Sequence, residues 1–395
     1  MTAFDIFCYG HGIFFVALQT LLMAGFFGEW RRDRQAVKTS AVNNGAVVNG
    51  KTPHPVVSLI IPIHNEDRRM EGLLRSLLAQ NYPAEIIFVD DRSDDESPAM
   101  LAQFVRNAAR QGMDNCRVIT LKENPGPNRK QYALSAGIAA TRGDYLLFTD
   151  GDCEAPPGWI QAMACRMNDP AVGAVIGPVF KKKQGNGFFF LYQCYDHAVR
   201  YNYLAGAIGL GAAGGGFGNN LIISRAALDS IGGYDAVPPS ATEDAALISL
   251  IRSRGKYRVR AIALPDAAIE TVAEKTWRSF VSQTLRWNNG GLFSPEFMTR
   301  LNYNILMLVI STGILAIPLL PFFPHLWPMS AGVFIVMIEN TIGAFGLFRT
   351  KLPKGGPLNL GYFLTLIFTP VYFTLMTIMG YCRIRVKWKD KPVVS

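Results

Sequence analysis

The sequence predicts an α/β fold with a mostly parallel sheet and helices on both faces, accompanied by transmembrane helices near both ends of the chain. Short apolar strands alternate with helix-length segments between residue 56 and about residue 264, and connections of that length favour right-handed crossovers. Long apolar runs precede and follow this region, and roughly 20 such residues are enough to cross a bilayer. We therefore expect one globular domain attached to a membrane.

The first predicted element is a membrane anchor at residues 4–27. No Lys or Arg precedes this apolar run, whereas Arg31, Arg32 and Arg34 follow it directly. Cleavage as a signal peptide is not expected, because a signal peptide carries its charges on the other side. The excess of cytoplasmic Lys and Arg in membrane proteins predicts that the chain enters the cytoplasm after Arg31. A linker at residues 28–55 is then expected.

The predicted globular domain covers residues 56–270. Its four leading strands are short, mostly apolar runs, and an amphipathic or helix-forming segment follows each of the first three. The predicted strands are 57–63, 85–89, 117–121 and 145–148, and the predicted helices are 70–80, 97–110 and 129–141.

Residues 271–300 are predicted to form an amphipathic helix at the membrane interface, followed by membrane segments at 303–381 and a basic tail at 382–395. The apolar segments 303–323, 326–348 and 360–381 are each long enough to span a bilayer. If all three crossed, the basic tail would lie outside, against the usual charge distribution. We therefore expect one segment to be interfacial or re-entrant, and the first, which contains three prolines, is the leading candidate.

The net charge of +9 does not indicate a nucleic-acid partner. The basic residues form no single stripe, and two of their clusters flank apolar segments, which is typical of positive charge beside a membrane. The six cysteines show neither a C-x-x-C pair nor the spacing of a zinc site. Buried, reduced cysteines are the simplest interpretation.

Polar clusters follow the first, second and fourth predicted strands. Asp90 and Asp91 end the second strand, and Asp150 and Asp152 follow the fourth with Gly151 between them. Ligands of parallel α/β sheets bind beyond the carboxyl ends of the strands. Two carboxylates one residue apart, on a sharp turn that Gly151 permits, can bind Mg2+ or Mn2+ through oxygen. The metal can then bind a diphosphate. An ordinary acidic turn is the alternative.

Two further segments carry candidate functional groups. The first runs from Pro62, near the end of the first strand, to Glu66, and the absence of G-x-G-x-x-G there argues against a dinucleotide-binding turn. His64, between them, is either catalytic or a hydrogen-bonded loop histidine. Lys130 lies at a helix start, where cationic groups and backbone N–H groups can bind phosphates, although a surface position is equally compatible with its spacing.

Two motifs precede the C-terminal segments. Glu243 and Asp244 lie where a helix begins, so Asp244 is either a stabilising helix-end residue or a general base. Gln283, Arg286 and Trp287 share one helix face. They form either an acceptor site or an interface anchor with a snorkelling arginine. The glycine-rich segment 206–218 is either a mobile loop or a wall beside the acceptor, where the missing side chains allow close approach to the backbone.

Together, these residues resemble glycosyltransferase family 2, in the membrane-bound branch that includes cellulose, hyaluronan and ceramide glucosyl synthases. The resemblance covers about residues 56–287, and two departures are Asn128 and Arg92, where the family more often has glycine. It implies a GT-A fold, a cytosolic active site and an inverting reaction. The residue roles that it implies are a donor site at Pro62, Glu66, Asp90, Asp91 and Lys130, metal and diphosphate at Asp150 and Asp152, and catalysis at Glu243, Asp244, Gln283, Arg286 and Trp287.

The expected partners are a nucleotide-diphosphate sugar, for which UDP-sugar is the leading candidate, the membrane, and a hydrophobic acceptor. Few C-terminal segments are available to enclose a polymer channel, so transfer of a hexose to a glycolipid, polyprenyl or carotenoid hydroxyl is expected. A processive polysaccharide synthase subunit is the enzymatic alternative. A catalytically silent membrane scaffold that binds nucleotide or lipid is the alternative of another class.

Overall fold

The computed structural model describes two compact units. One contains residues 28–180 and 216–272, here called the sheet unit, and the other contains residues 1–27, 181–215 and 273–395, here called the helical unit. The described residues are 1–43, 56–125, 128–182, 184–185, 187–212, 215–240, 242–254, 257–294, 296–348, 352, 360–384, 387–388 and 391–392.

Twelve α-helices and twelve strands occur in these residues. The helices are α1 Ala3–Asn43, α2 Glu71–Leu78, α3 Ser97–Arg110, α4 Arg129–Ala139, α5 Trp159–Cys165, α6 Phe188–Gly209, α7 Arg225–Ser230, α8 Glu243–Arg254, α9 Trp277–Leu292, α10 Phe297–Ala316, α11 Trp327–Phe348 and α12 Leu360–Tyr381. The strands are β1 Val57–Ile63, β2 Ala84–Asp90, β3 Cys116–Thr120, β4 Tyr145–Phe148, β5 Cys153–Glu154, β6 Val172–Ile176, β7 Val179–Lys181, β8 Leu221–Ser224, β9 Arg258–Ala261, β10 Ile269–Thr271, β11 Lys387–Trp388 and β12 Lys391–Pro392.

The predicted α/β architecture is confirmed in the sheet unit. Its main sheet has the strand order β3-β2-β1-β4-β8-β6-β9. The first four strands of that order are parallel, and β8 runs antiparallel to both of its neighbours. Strands β1 and β4 have the predicted bounds, and β2 and β3 differ by a residue or two. The extensive burial of β1, β2 and β4 explains why these three strands are mostly apolar.

The predicted linker at 28–55 is wrong for its first part, because α1 continues to Asn43. Two buried carboxylates of this extension bind groups of the sheet unit. Glu29 pairs with Arg260 at 3.0 Å, and Asp33 pairs with Arg166 at 2.9 Å. Because paired charges can remain buried, these two ion pairs attach the part of α1 beyond the membrane segment to the sheet unit. The remainder of the predicted linker, 44–55, lies outside the described residues.

The predicted domain 56–270 is not one unit, because residues 181–215 belong to the helical unit. Most of α6 is buried, and Gly206 and Gly209 lie inside this helix, so the mobile-loop alternative is wrong for these two glycines. A Cβ atom at Gly206 would meet the Leu22 carbonyl, and one at Gly209 would meet the Gly25 carbonyl. These glycines therefore let α6 cross α1 at close range.

Four helical segments are long and apolar enough to cross a membrane, among the residues that the structure describes: Ala3–Gln35, Phe297–Leu319, Pro324–Gly346 and Gly361–Tyr381. The first C-terminal segment was the leading candidate for a re-entrant one. It contains a continuous 20-residue helix, α10, and Pro318 lies in the 3-10 turn after it. The prolines therefore end this helix instead of breaking it.

The close contact of α1 with α6 can be tested by two leucine substitutions in the same helix. Gly25→Leu places a side chain against the Gly206 carbonyl and Leu210, whereas a Cβ at Gly10 meets nothing within 4 Å. We expect Gly25→Leu to cost about 1–3 kcal/mol through overpacking and Gly10→Leu to cost less than about 0.5 kcal/mol. Thermal unfolding in lipid nanodiscs measures both, and equal effects would contradict the close contact.

Candidate functional site

The carboxyl ends of three neighbouring strands place the predicted donor residues in the sheet unit. Asp90 and Asp91 follow β2, and Asp150 and Asp152 follow β4. Between these strands lies β1, after which Glu66 is 9% exposed. Pro62 lies within β1, where it is paired with Val89 of β2. The carboxylates of the donor prediction therefore share one edge of the sheet.

Lys130 joins two of the predicted motifs. Its ammonium nitrogen lies 2.7 Å from Asp150 Oδ1 and 3.4 Å from Glu243 Oε1. Asn128 caps α4 by accepting from the Gln131 N–H, which fixes Lys130 in the first turn. Burial by itself lowers the pKa of Lys130, but the charges of Asp150 and Glu243 outweigh it and raise that pKa above its usual value. The surface alternative for Lys130 is wrong.

A second cation, which the sequence did not single out, approaches Asp152. Arg69 lies 2.6 Å from Glu66 Oε2 and 3.5 Å from Asp152 Oδ2. Each carboxylate of the Asp150–Asp152 turn thus has a cationic neighbour from another element. Arg69 lies between β1 and α2, in the loop that follows the first strand. The sequence feature that could have identified Arg69 is its position three residues after Glu66.

Gly151 is required for a different reason from the sharp turn expected of it. Its φ is not positive. A Cβ there would lie 2.9 Å from Ile63 Cδ1 and 3.0 Å from Glu66 Cγ. Since real Cβ atoms almost never approach so closely, the residue lets the β4 turn pack directly on the residues after β1.

The loop after β2 is fixed by local hydrogen bonds. Asp90 accepts from the Ser93 N–H at 3.1 Å, and Asp91 accepts from Asn124 at 2.9 Å. His64 Nδ1–H donates to the Asp91 carbonyl at 2.8 Å, which agrees with the loop-histidine alternative. Arg92, one of the departures noted in the sequence, has φ 58°. That left-handed conformation explains why glycine suits this position.

Asp244 is held by the glycine-rich segment. It accepts from the Gly218 N–H at 2.6 Å and from the N–H of the next residue, Ala245, at 2.8 Å. Neither bond follows the capping pattern, in which the acceptor lies two or three residues before the donor. Burial and then the charge of Glu243 raise the pKa of Asp244 to about 6, against the opposing effect of Lys130. The carboxylate is therefore a candidate base close to neutral pH.

Divalent metal binding is chemically compatible with Asp150 and Asp152. Their carboxylates are the hard oxygen ligands that Mg2+ and Mn2+ favour. Among the residues that the structure describes, no group of three or more His, Cys, Asp or Glu could hold a metal by itself. Mg2+ commonly takes one or two carboxylates and completes its shell with phosphate oxygens and water. The residues fit a metal that arrives with a phosphorylated ligand.

The Gln283, Arg286 and Trp287 motif lies on α9 in the helical unit. Trp287 contacts two residues of α6. The His197 ring is 5.5 Å away in an edge-on arrangement, and the Arg200 guanidinium carbon lies 5.4 Å from the Trp287 ring centroid. Gln283 Oε1 is buried and has no hydrogen-bond partner among the described residues. In this motif, contacts with α6 position the Trp287 ring, and Gln283 Oε1 is a buried acceptor without a donor among the described residues.

The apolar side of α9 does not form the membrane-facing surface expected from the sequence. Phe280 and Leu285 are buried in the protein, within a cluster that includes Tyr192 of α6 and Tyr372 of α12. Trp277, at the start of α9, is the exposed apolar residue of this side, with 40% of its surface accessible. Periodicity correctly identified an apolar face but could not indicate that other helices would cover it.

A buried ion pair supports Trp287 from the α6 side. Arg200 Nε donates to Asp196 Oδ2 at 2.8 Å, and the Asp196 side chain has no solvent exposure. The guanidinium also lies 5.0 Å from the Phe373 ring centroid. Two rings and one carboxylate therefore determine the position of Arg200.

The ion pair can be tested by removing one or both partners. Asp196→Leu leaves Arg200 buried without its carboxylate, so we expect a loss of about 3–5 kcal/mol. The double variant Asp196→Leu/Arg200→Met removes both charges, and we expect it to recover most of that loss. Thermal unfolding in nanodiscs measures each variant. A double variant that is less stable than Asp196→Leu would contradict this description of the pair.

Comparison with known proteins gives matches to part of the chain and, in one solved structure, to nearly all of it. Residues 58–232 match the family described as Glycosyl transferase family 2. An N-acetylglucosaminyltransferase of Rhizobium meliloti is 29% identical over 60% of this chain and 55% of its own length. A beta-monoglucosyldiacylglycerol synthase of Synechocystis is 26% identical over 60% of this chain and 48% of its own length. The matched part thus spans about half of each relative.

A mannosyltransferase of Pyrobaculum calidifontis, solved in complex with GDP-Man and Mn2+, is similar in structure. It has a TM-score of 0.55 and 18% identity, and the match covers 95% of this chain and 99% of that one. The likeness shows the fold, and the expected GT-A architecture with accompanying apolar helices is confirmed.

Proposed function

The chain carries a domain of glycosyl transferase family 2, and from that premise we propose that it transfers a hexose from a nucleotide-diphosphate sugar to a hydroxyl of a membrane-borne acceptor. The observation that carries the proposal is the Lys130 cluster, in which one ammonium contacts Asp150 and Glu243. A single half-buried cation thereby connects the proposed diphosphate site with the helix start that bears the proposed base.

The donor half of the proposal assigns the nucleotide to Pro62, Glu66, Asp90 and Asp91 and the diphosphate to the β4 turn. Asp150 and Asp152 would hold Mg2+ or Mn2+, which supplies charge neutralisation to the diphosphate when it is bound. The solved mannosyltransferase from Pyrobaculum, with GDP-Man and Mn2+, supports a donor and metal of this class. Lys130 and Arg69 provide further positive charge to the same turn.

The base in this proposal is Asp244. Its carboxylate takes the proton of the acceptor hydroxyl while that oxygen attacks the anomeric carbon. A new glycosidic bond forms as the bond from that carbon to the diphosphate oxygen breaks, and the nucleotide diphosphate leaves with the bonding electron pair. The direct displacement inverts the anomeric centre. A carboxylate whose pKa is about 6 is ionised at neutral pH yet basic enough to assist.

The acceptor half rests on the helical unit. Four segments could cross a membrane by length and composition, and the Synechocystis relative is named for a glycolipid product. We assign Gln283, Arg286 and Trp287 to the acceptor side of the reaction. The buried, unpartnered Gln283 Oε1 is suited to accept from a hydroxyl. The same layout, with the sheet unit in the cytoplasm, agrees with Arg31, Arg32 and Arg34, which follow the apolar part of α1.

The donor and product can be identified with membranes from a host that expresses the full chain. We expect incubation with a panel of labelled nucleotide sugars, followed by lipid extraction and mass analysis, to give a lipid carrying one hexose. A matched Asp150→Asn/Asp152→Asn variant should give none. A labelled polymer would instead support the polysaccharide synthase, and no transfer from any donor would support a catalytically silent scaffold.

The role of Asp244 can be separated from a structural one by substitution and pH. We expect Asp244→Asn to lower turnover by about 10²–10⁴-fold, the range for loss of a general base, while nucleotide binding measured by calorimetry stays unchanged. Asp229→Asn, at an exposed position of α7, is the control.

In the unsubstituted protein, the ionised form of Asp244 is the active one, so kcat/KM should fall about tenfold per pH unit below pH 6. The slope should be absent from the residual activity of Asp244→Asn. Equal losses of turnover and nucleotide binding in that variant would mean that Asp244 is structural.

A further inference from the structure

We propose that α12 lies along the membrane surface, with one face against lipid and the other beneath α9, and that only α1, α10 and α11 cross the bilayer. By length and composition α12 is a candidate span. Its contacts within the helical unit, however, attach both of its ends to the same half of the bundle formed by the other three helices.

The directions of the three crossing helices are set by paired contacts. In α10 and α11, Ser330 donates to the Gly313 carbonyl, and a Cβ at Gly313 would lie 2.5 Å from Val333. The short connection between the two helices makes them antiparallel. In α1 and α11, Gly12 meets Gly332, and Gln19 donates to Asn340 at 3.1 Å. The order of these contacts makes α1 and α11 parallel.

Both ends of α12 lie on the same side of the Gly313–Val333 crossing. The Tyr362 ring packs on Phe345 with centroids 4.7 Å apart, twelve residues along α11 from that crossing, or about 18 Å. At the other end, the Tyr381 hydroxyl donates to Asn304, nine residues back along antiparallel α10, or about 13.5 Å in the same direction.

The two anchor points of α12 therefore differ by only about 5 Å along the bundle, although the 19 residues between Tyr362 and Tyr381 extend about 28 Å. A crossing helix would need its ends on opposite sides of a hydrocarbon layer about 30 Å thick. The geometry is that of a helix lying across one end of the bundle.

One face of α12 is covered by the motif helix. Tyr372 bonds with Thr284 at 2.5 Å, Asn288 donates to the Met376 carbonyl at 3.1 Å, and Gly380 abuts Asn289. These contacts advance together along both helices, so α12 runs parallel to α9. This arrangement explains why the apolar side of α9 is not itself exposed to lipid.

The opposite face of α12 is an uninterrupted apolar stripe. Every member is 37–55% exposed, and the spacing places all of them on one side of the helix. The stripe consists of Phe363, Leu364, Ile367, Val371, Leu375 and Ile378. A stripe of this kind on a helix beside three crossing helices fits the acyl-chain boundary of a bilayer.

This arrangement also removes the difficulty with the basic tail. With three crossings, the end of α12 at Tyr381 lies on the same side of the bilayer as Arg31, Arg32 and Arg34 of α1. Arg383, directly after α12, then faces the cytoplasm together with these arginines, as the charge distribution of membrane proteins favours. The charge distribution predicts one non-crossing segment and favours 303–323 for it, whereas the contacts favour α12.

The test is a depth measurement on the full chain in lipid nanodiscs. Single cysteines at Phe363, Ile367, Val371, Leu375 and Ile378, in a Cys165→Ser/Cys382→Ser background, carry nitroxide labels whose accessibility to oxygen and to an aqueous nickel chelate gives their depth. The control series is Ile335, Ile338 and Ile342, which are exposed on α11.

We expect the control series to change depth by about 10 Å over its seven residues, while the α12 series stays within about 5 Å of one shallow depth. A gradient of about 22 Å from Phe363 to Ile378, as 15 residues of a crossing helix would give, would overturn the proposal. So would labels that water reaches throughout, or labels shielded from both reagents by a second copy. The readout does not depend on activity, so it is independent of the proposed transferase function.

Discussion

The proposed site depends on the ion pairs that the half-buried Lys130 ammonium makes with Asp150 and Glu243. A charge of this kind is stable in the interior only with compensating partners, and here the partners come from two distant parts of the sequence, the β4 turn and the start of α8. The ion pairs therefore fix the distance between the proposed diphosphate site and the segment that bears Asp244. Arg69 adds a second link, from the loop after β1 to Asp152.

Buried carboxylates paired with arginines also occur on α1 and α6. Glu29 and Asp33 are buried on the extension of α1 and are paired with Arg260 and Arg166. In the helical unit, Asp196 is buried and paired with Arg200, which contacts Trp287 of the proposed acceptor motif. In each case an arginine donates to a buried carboxylate, and its planar guanidinium favours one orientation of the pair.

Features that depend on local sequence could be predicted well. Strands such as β1 and β4 are runs of buried apolar residues, and the acidic pair that follows β4 marks the carboxyl edge of a sheet whatever its partners are. Arg92 is also informative locally, since its φ of 58° agrees with the glycine that the resemblance leads one to expect there. These features require only periodicity and turn chemistry.

Features that depend on packing between distant segments could not be predicted. The glycines at 206 and 209 have the composition of a loop, and only the approach of α1 gives them a helical role. Hydropathy shows that α12 is long enough to cross a bilayer, but its orientation is set by contacts at Tyr362 and Tyr381. Arg69 was missed because its partner Asp152 lies more than eighty residues away.

We propose that Asp150 and Asp152 bind a divalent metal together with a nucleotide diphosphate. Because each carboxylate already has a cationic neighbour and the described residues offer no third ligand, the metal should bind tightly only when phosphate oxygens accompany it. The direct measurement is a titration of the purified chain with Mn2+, following free Mn2+ by electron paramagnetic resonance, with and without UDP or GDP. We expect strong, saturable Mn2+ binding only in the presence of nucleotide, and we expect Asp152→Ala to lose this binding. Equally tight binding without nucleotide, or none with either nucleotide, would contradict it.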